Sequence, residues 1–215
     1  PAVVERIVET VAAVRKAAGS GIDLALDFHG RASPAMAKLL ARRLEPSQPF
    51  FIEEPVLPGD TAALLEVARS TTIPIAGGER LFTRWQFQEL IERQAVAVVQ
   101  PDLSHCGGLW EARKIAAMAE ARNIALAPHC PLGPVALAAC LQLAACTPNF
   151  LIQEHLTLGE GILTEPFRVV DGHVAVPEKP GLGIEVDEAA VRRLAFAGDW
   201  RTPQFRRPDG SFAEW

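Results

Sequence analysis

Apolar positions along the chain follow two periods. Short apolar, β-prone runs occur at Asp23–Phe28, Pro49–Ile52, Ile73–Ala76, Ala95–Gln100, Ile124–Ala127 and Phe150–Gln153. Between them, Pro34–Leu44, Thr61–Ser70, Arg84–Arg93, Leu109–Arg122 and Pro134–Ala145 carry apolar residues three and four apart, the stripe of an amphipathic helix. Pro34 and Pro134 suit first-turn helix positions. The opening segment Ala2–Ala18 reads as a further helix, with Val3, Val4, Ile7, Val11 and Val14 on one stripe. Each short run ends in or near an ionisable side chain: Asp27, Glu53, Glu79, Asp102, His129 and Glu154, at intervals of 26, 26, 23, 27 and 25 residues.

Strand and helix in regular alternation predict a parallel α/β fold. Continuously apolar strands predict a sheet buried on both faces. A doubly wound sheet and a barrel both satisfy this, and the polar strand ends separate them. In an open sheet such ends spread along a line, and binding concentrates at one switch point. In a barrel they converge on one mouth. Six converging groups therefore favour a (β/α) barrel. Closure needs about eight strands and six are counted, so the first strands are expected upstream of Pro1. After Glu160 the repeat stops. Val169–Val176 predicts a hairpin, Lys179–Gly183 a Gly/Pro-rich turn and Asp187–Leu194 a short helix. Arg201–Trp215 predicts an irregular tail with Phe205, Phe212 and Trp215 as anchors. Residues 1–164 are thus expected to form the C-terminal part of a barrel, with 165–215 packing on it.

Composition narrows the function classes. The 215 residues are 49% hydrophobic and 22% charged, ordinary for a soluble globular protein. The net charge is −5 and no Lys/Arg run occurs, so no nucleic-acid partner is expected. Pro, Gly or charge breaks every apolar stretch well short of the ~18 residues of a membrane helix, so no membrane partner is expected. The opening Pro-Ala-Val-Val-Glu-Arg is no signal peptide, and a cytoplasmic location is expected. Cys106, Cys130, Cys140 and Cys146 form no Cys-x-x-Cys pair and are expected to be reduced thiols in or near the core. The chain enters its first helix directly from Pro1, with no initiator Met, as a fragment or a processed chain would.

The strand-end residues suggest specific chemistry. Asp27, Glu53 and Glu79 end three consecutive strands and would lie side by side in a barrel mouth. Three unpaired anions that close repel strongly, and a hard divalent cation resolves the repulsion. Oxygen-only ligands with room for water and substrate suit Mg²⁺ better than Zn²⁺. The alternative for each acid alone is a helix N-cap or a surface salt bridge. Period-two alternation puts His29 beside Asp27. Asp102 and His129 end adjacent strands, where a carboxylate would orient an imidazole as a general base. Glu154 could be a neutral acid donating a hydrogen bond, if burial raises its pKa. Glu54 should point away from Glu53 and reads as an acid that supports the ligands from behind or as a structural acid. Arg31 and Arg80 could meet an anionic substrate or could be surface cations. His105, His155 and His173 read as solvated or structural, and Gly107-Gly108 as a tight turn.

The triad with its 26-residue steps, Ile52-Glu53-Glu54-Pro55, Gly78-Glu79 and Pro101-Asp102 before Gly107-Gly108 resemble the mandelate racemase branch of the enolase superfamily. Within that branch the chain is similar to the galactonate dehydratase family. The strings Asp27-Phe28-His29-Gly30-Arg31, Ala127-Pro128-His129-Cys130-Pro131, Lys179-Pro180-Gly181-Leu182-Gly183 and Ala213-Glu214-Trp215 carry that likeness. The resemblance implies an incomplete (β/α)7β barrel whose capping domain comes mostly from an absent N-terminal segment and is completed by the C-terminal tail. It implies a Mg²⁺-dependent sugar-acid dehydratase, a homo-oligomer in the full-length form. Asp27, Glu53 and Glu79 would hold the metal. His129, oriented by Asp102, would take the C2 proton to give an enediolate that Glu154 hydrogen-bonds. His29 would protonate the departing C3 hydroxyl, giving a 2-keto-3-deoxy product. Other sugar-acid dehydratases, a racemase with a Lys base on an upstream strand, and an inactive fragment remain alternatives. A metal-dependent hydrolase is disfavoured, because such sites need more histidine ligands than His29 and His129. His155–Val170 is shorter than expected of galactonate dehydratases, which leaves the sugar open.

Overall fold

The computed structural model describes residues 2–198, 201, 204–206 and 209–211. Helix α1 (Ala2–Ala18) is followed by β1 (Ala25–Asp27), α2 (Pro34–Leu44), β2 (Phe51–Glu53), α3 (Thr61–Ala68) and β3 (Ile75–Gly77). Then come α4 (Thr83–Glu92), β4 (Val98–Val99), α5 (Leu109–Glu120), β5 (Ala125–Leu126) and α6 (Pro134–Ala145). Helices α2, α3 and α6 begin where the sequence supplies a start. Pro34 and Pro134 occupy first-turn positions. Asp60 caps α3 by accepting the Ala63 N–H at 2.9 Å, a contact worth about 1 kcal/mol.

All five strands are parallel and pair in chain order, β1 to β5. Parallel crossovers are right-handed, so a sheet that never reverses its strand order carries its helices on one face. That is the wall of a (β/α) barrel and not a doubly wound sheet. Period-two alternation then splits the apolar residues into two layers. Ile52, Ile75, Val99 and Leu126 belong to one buried cluster with Leu40, Val67, Phe87, Ile115 and Leu137 of the helices. Their strand neighbours Phe51, Ala76 and Val98, with Ala127, form a separate buried cluster on the opposite face.

Six strands are expected from the sequence and five form. The run Phe150–Gln153 is reduced to a single parallel bridge between Leu126 and Phe150, with the Leu151 N–H donating to the Leu126 carbonyl at 2.8 Å. Leu151 and Ile152 are 41% and 51% exposed. Without apolar cover the run gains little by extending the ladder.

The C-terminal segment leans on the wall. Hairpin strands β6 (Val169–Val170) and β7 (His173–Val174) are joined by Asp171-Gly172, both at positive φ, as a tight hairpin turn requires. Phe167 and Val174 pack against the main core, and Gln142 Nε2 donates to the Pro177 carbonyl at 3.0 Å. Helix α7 (Glu188–Arg193) is capped by Asp187. Phe205 lies 5.9 Å under the Arg31 guanidinium, whereas Phe212, Trp215 and the rest of the closing string lie outside the described residues. The α1 stripe is covered only in part: Val4 is buried, but Val3 and Val14 are 55% and 48% exposed. Cys106, Cys130 and Cys140 are buried and Cys146 is exposed, all as free thiols. Among the described residues no helix is long and apolar enough to cross a membrane.

Candidate metal and proton-transfer site

Register brings the first two acids together. Asp27 pairs opposite Glu53, and Glu53 opposite Ala76. Just past the strands the backbone turns: His29, Glu54 and Gly78 all have positive φ (51°, 37° and 132°). At Gly78 the turn depends on glycine twice over. The conformation disfavours any side chain, and a Cβ would stand 2.7 Å from Cε1 of Phe87. The chain passes over that buried ring and delivers Glu79.

The side chains form a continuous series of contacts. The His29 backbone N–H donates to Asp27 Oδ1 at 2.6 Å, and His29 Nδ1 lies 3.2 Å from Asp27 Oδ2. Glu79 stands between the two imidazoles, with Oε1 3.9 Å from His29 Nδ1 and Oε2 3.4 Å from His129 Nε2. His129 Nδ1 is 2.9 Å from Asp102 Oδ2, and Asp102 Oδ1 accepts the Ser104 N–H at 2.7 Å. Glu154 Oε2 accepts the Cys130 N–H at 2.7 Å, one residue beyond His129. Gln153 Nε2 donates to the Pro128 carbonyl at 3.1 Å, so the His129 loop is held on both sides.

Charge is concentrated here. Burial pushes the Glu53 carboxyl up to about 8; the Gln100 side chain opposes that shift, and Glu79 and Asp27 add to it. Burial and the neighbouring Glu54 raise Glu79. For His129, burial acts downward, but the Asp102 hydrogen bond and the charges of Glu79 and Glu154 outweigh it and lift the imidazole to about 9. Asp102 is held low despite its burial by hydrogen bonds from His129 and Ser104. A cluster with this surplus of negative charge is chemically fit for a hard cation.

One group of possible ligands among the described residues is His29, Glu54 and Glu79, which offer atoms within 4.8 Å of one another. Of the sequence-expected triad it contains Glu79. Glu53 joins through its contact with Glu79, and Asp27 adds its charge to both. Asp27 is the outlying member, its side chain 48% exposed against 5% for Glu79. The two candidate arginines diverge. Arg31 is exposed on the loop after β1. Arg80 is turned to Glu54, with Nε donating to Oε2 at 2.9 Å and Nη2 contacting the same oxygen.

Sequence reasoning misdirected one residue here and missed two. Glu54 reaches His29 and Glu79 because its positive φ breaks the alternation that would point it away. Gln100 is buried at 5% exposure, with its amide on Glu53 and Oε1 unpartnered; its polar side chain at the end of an apolar run was the available signal. Gln153 carried no signal, since its partner is a backbone carbonyl on the neighbouring loop.

Comparison with known proteins agrees with this architecture. The chain is 47% identical over 223 residues to the D-galactonate dehydratase of Pectobacterium atrosepticum, covering 99% of this chain and 58% of that protein. It is 48% identical to the D-galactonate dehydratase of Cronobacter sakazakii, with the same coverage. The chain thus spans little more than half the length of these relatives. Among solved structures, a mandelate racemase/muconate lactonizing enzyme from Jannaschia sp. superposes with a TM-score of 0.85 at 38% identity, over 92% of this chain and 51% of that one. A mandelate racemase/muconate lactonizing enzyme-like protein from Rubrobacter xylanophilus gives 0.85 at 39% identity, over 90% and 50%. Residues 2–190 match the family described as enolase C-terminal domain-like. A singly wound parallel wall with acids and imidazoles gathered at its strand ends, and that match over most of its length, make the chain a member of the enolase C-terminal domain-like family.

Proposed function

We propose that the chain carries the proton-transfer half of a Mg²⁺-dependent sugar-acid dehydratase acting on D-galactonate or a close stereoisomer. The observation that carries this reading is the contact series Asp102–His129–Glu79–His29, which puts two imidazoles on either side of one carboxylate. Elimination of water needs a base at C2 and an acid at C3, and two separated imidazoles supply both.

Asp102, anionic and anchored by the Ser104 N–H, fixes the His129 ring through Nδ1. The charge of Glu79, which helps lift His129, would be met by the cation Glu79 holds, and Nε2 of the then neutral ring is left to take the C2 proton of the bound sugar acid. His29 hands a proton to the C3 hydroxyl as it leaves. Glu154 is exposed and not buried as a neutral donor acid would be; by accepting the Cys130 N–H it holds the His129 loop beside the substrate carboxylate. Asp27, Glu53 and Glu79 would hold Mg²⁺, which supplies a Lewis acid for that carboxylate. Arg31, exposed beside the His29 turn, is the candidate for the substrate's distal hydroxyls. The described part of the C-terminal segment, with Phe205 against Arg31, would contribute to a cap over the mouth. The likeness to proteins named D-galactonate dehydratase supports the choice of substrate.

The test is direct. The 215-residue chain is incubated with D-galactonate and Mg²⁺, and 2-keto-3-deoxy acid is measured with a carbonyl reagent. Product that disappears with EDTA and returns with Mg²⁺ supports the proposal. Absence of both product and C2-proton exchange across a panel of sugar acids sinks it.

A further inference from the structure

Behind the acids, the three loops that leave β1, β2 and β3 meet in one place. Gly30 lies three residues after Asp27, Glu54 one after Glu53, and Arg80 one after Glu79. The Gly30 N–H donates to the Glu54 carbonyl at 2.8 Å. The Glu54 side chain is 3% exposed and the Arg80 side chain 16%. Both Nε and Nη2 of Arg80 converge on Glu54 Oε2. Gly30 is packed against the pair, since a Cβ there would sit 2.6 Å from Arg80 Nη2 and 3.3 Å from Leu57 Cα. Arg80 Nε also stands 3.9 Å from Glu79 Oε1.

From this arrangement we infer that the Glu54–Arg80 pair, seated on Gly30, is a positioning latch that sets the spacing of Asp27, Glu53 and Glu79 before a cation arrives. The inference rests on the metal role proposed above for those three acids. Its physical basis is twofold. A buried ion pair is costly to desolvate and adds little net stability, which leaves the fixing of geometry as a reason to keep one here. Acids this close also tend to spread apart by repulsion when they ionise together. A guanidinium beside Glu79, tied to the loop of Glu53 and seated on the loop of Asp27, opposes that spreading at all three strands. Groups that hold metal ligands in place are typically worth 10–100-fold in metal affinity. Arg80 is thereby a positioning residue, acting through the acids and not on substrate.

The experiment is a titration of the chain with Mn²⁺ alone, read by electron paramagnetic resonance, with thermal melting in EDTA as the folding control. Wild type is compared with Arg80→Met, Glu54→Gln, Arg80→Lys and Arg84→Met. The last breaks a comparable pair, Arg84 with Glu111 at 2.7 Å between α4 and α5, which touches none of the three acids. Arg80→Met, whose side chain is no ligand, is expected to weaken Mn²⁺ binding about 10- to 100-fold, Glu54→Gln, whose carboxyl also lies within reach of a cation, at least as much, while Arg84→Met leaves it within twofold. Arg80→Lys keeps the charge but loses the fork, and should weaken binding by a smaller factor in the same direction. Should Arg80→Met not fold, Arg80→Lys decides alone. Unchanged Mn²⁺ affinity in the Arg80 and Glu54 variants, with wild type binding normally, overturns the latch and leaves the metal reading standing. A wild-type chain that binds no Mn²⁺ overturns both.

Discussion

The middle of the wall and its β1 edge are made of the same repeating unit and have very different surroundings. At β3 every strand residue is buried, and Glu79 beyond it is 5% exposed. At β1 the strand is open, Ala25 and Asp27 are exposed, and Leu26 is only partly covered. The cause is the number of neighbours. Strand β3 has a partner on each side, β2 and β4, whereas among the described residues β1 pairs with β2 alone. An unpaired edge presents free backbone groups and uncovered side chains. Here it opens a groove of about 500 Å³ between α1 and β1, lined by Val3, Ile7, Val11, Leu26, Met36 and Leu40. The site therefore has a rigid side, built on Glu79, Asp102 and His129, and a yielding side, built on Asp27 and His29.

That contrast can be broken at several points. The largest effect is expected at the imidazoles. His129→Asn should reduce C2-proton exchange about 10²- to 10⁴-fold, whereas His29→Asn should stop dehydration yet leave exchange. Deuterium incorporation followed by NMR distinguishes the two, and loss of exchange in both variants would contradict the division of roles. Next comes the core beneath each side. Phe87→Ala should cost about 3–5 kcal/mol, because a fully buried ring leaves a cavity. Val3→Ala, at the open groove, should stay within about 0.5 kcal/mol. Urea unfolding of the two variants measures the difference, and equal losses would mean that the edge is covered in solution.

A smaller effect is expected from pH. In EDTA, Glu53 and His129 both have folded-state pKa values above their ordinary ones, about 8 and about 9. Groups raised on folding contribute stability that is complete below the unfolded pKa and lost as pH rises through the folded one. Melting temperature without metal should thus fall between pH 6 and pH 9, and saturating Mg²⁺ should flatten the slope. A rise over that interval would show that other groups dominate. The slightest change is expected at the cysteines. Iodoacetamide at pH 8 should label the exposed Cys146 first, because burial holds the Cys106 thiol up to about 12. Mass spectrometry of the native chain reads this directly.

Much of the wall was legible from pattern alone. The helices Pro34–Leu44 and Pro134–Ala145 fall where a proline start and an apolar stripe put them, since both signals are local. The sixth strand was over-read because an apolar run does not reveal whether it will have a neighbour on its outer side. His29 lies beside Asp27, but a left-handed turn brings it there and not an extended strand. Glu54 was misdirected by the same assumption, as alternation ends where the strand ends. Arg80 looked like a cation waiting for a substrate. Its partner lies 26 residues away on another loop, a pairing that no local pattern encodes.

The sixth stave, almost without ladder bonds, still tethers the loop that carries the proposed base. Glu154 grips the Cys130 amide and Gln153 the Pro128 carbonyl, so two side chains stitch together a seam that backbone zipping leaves open. The orientation of the His129 ring is then adjustable by point substitution at 153 and 154, without disturbing a single strand pairing. Substitution there would change the timing of the proposed proton transfer while the barrel wall stayed untouched.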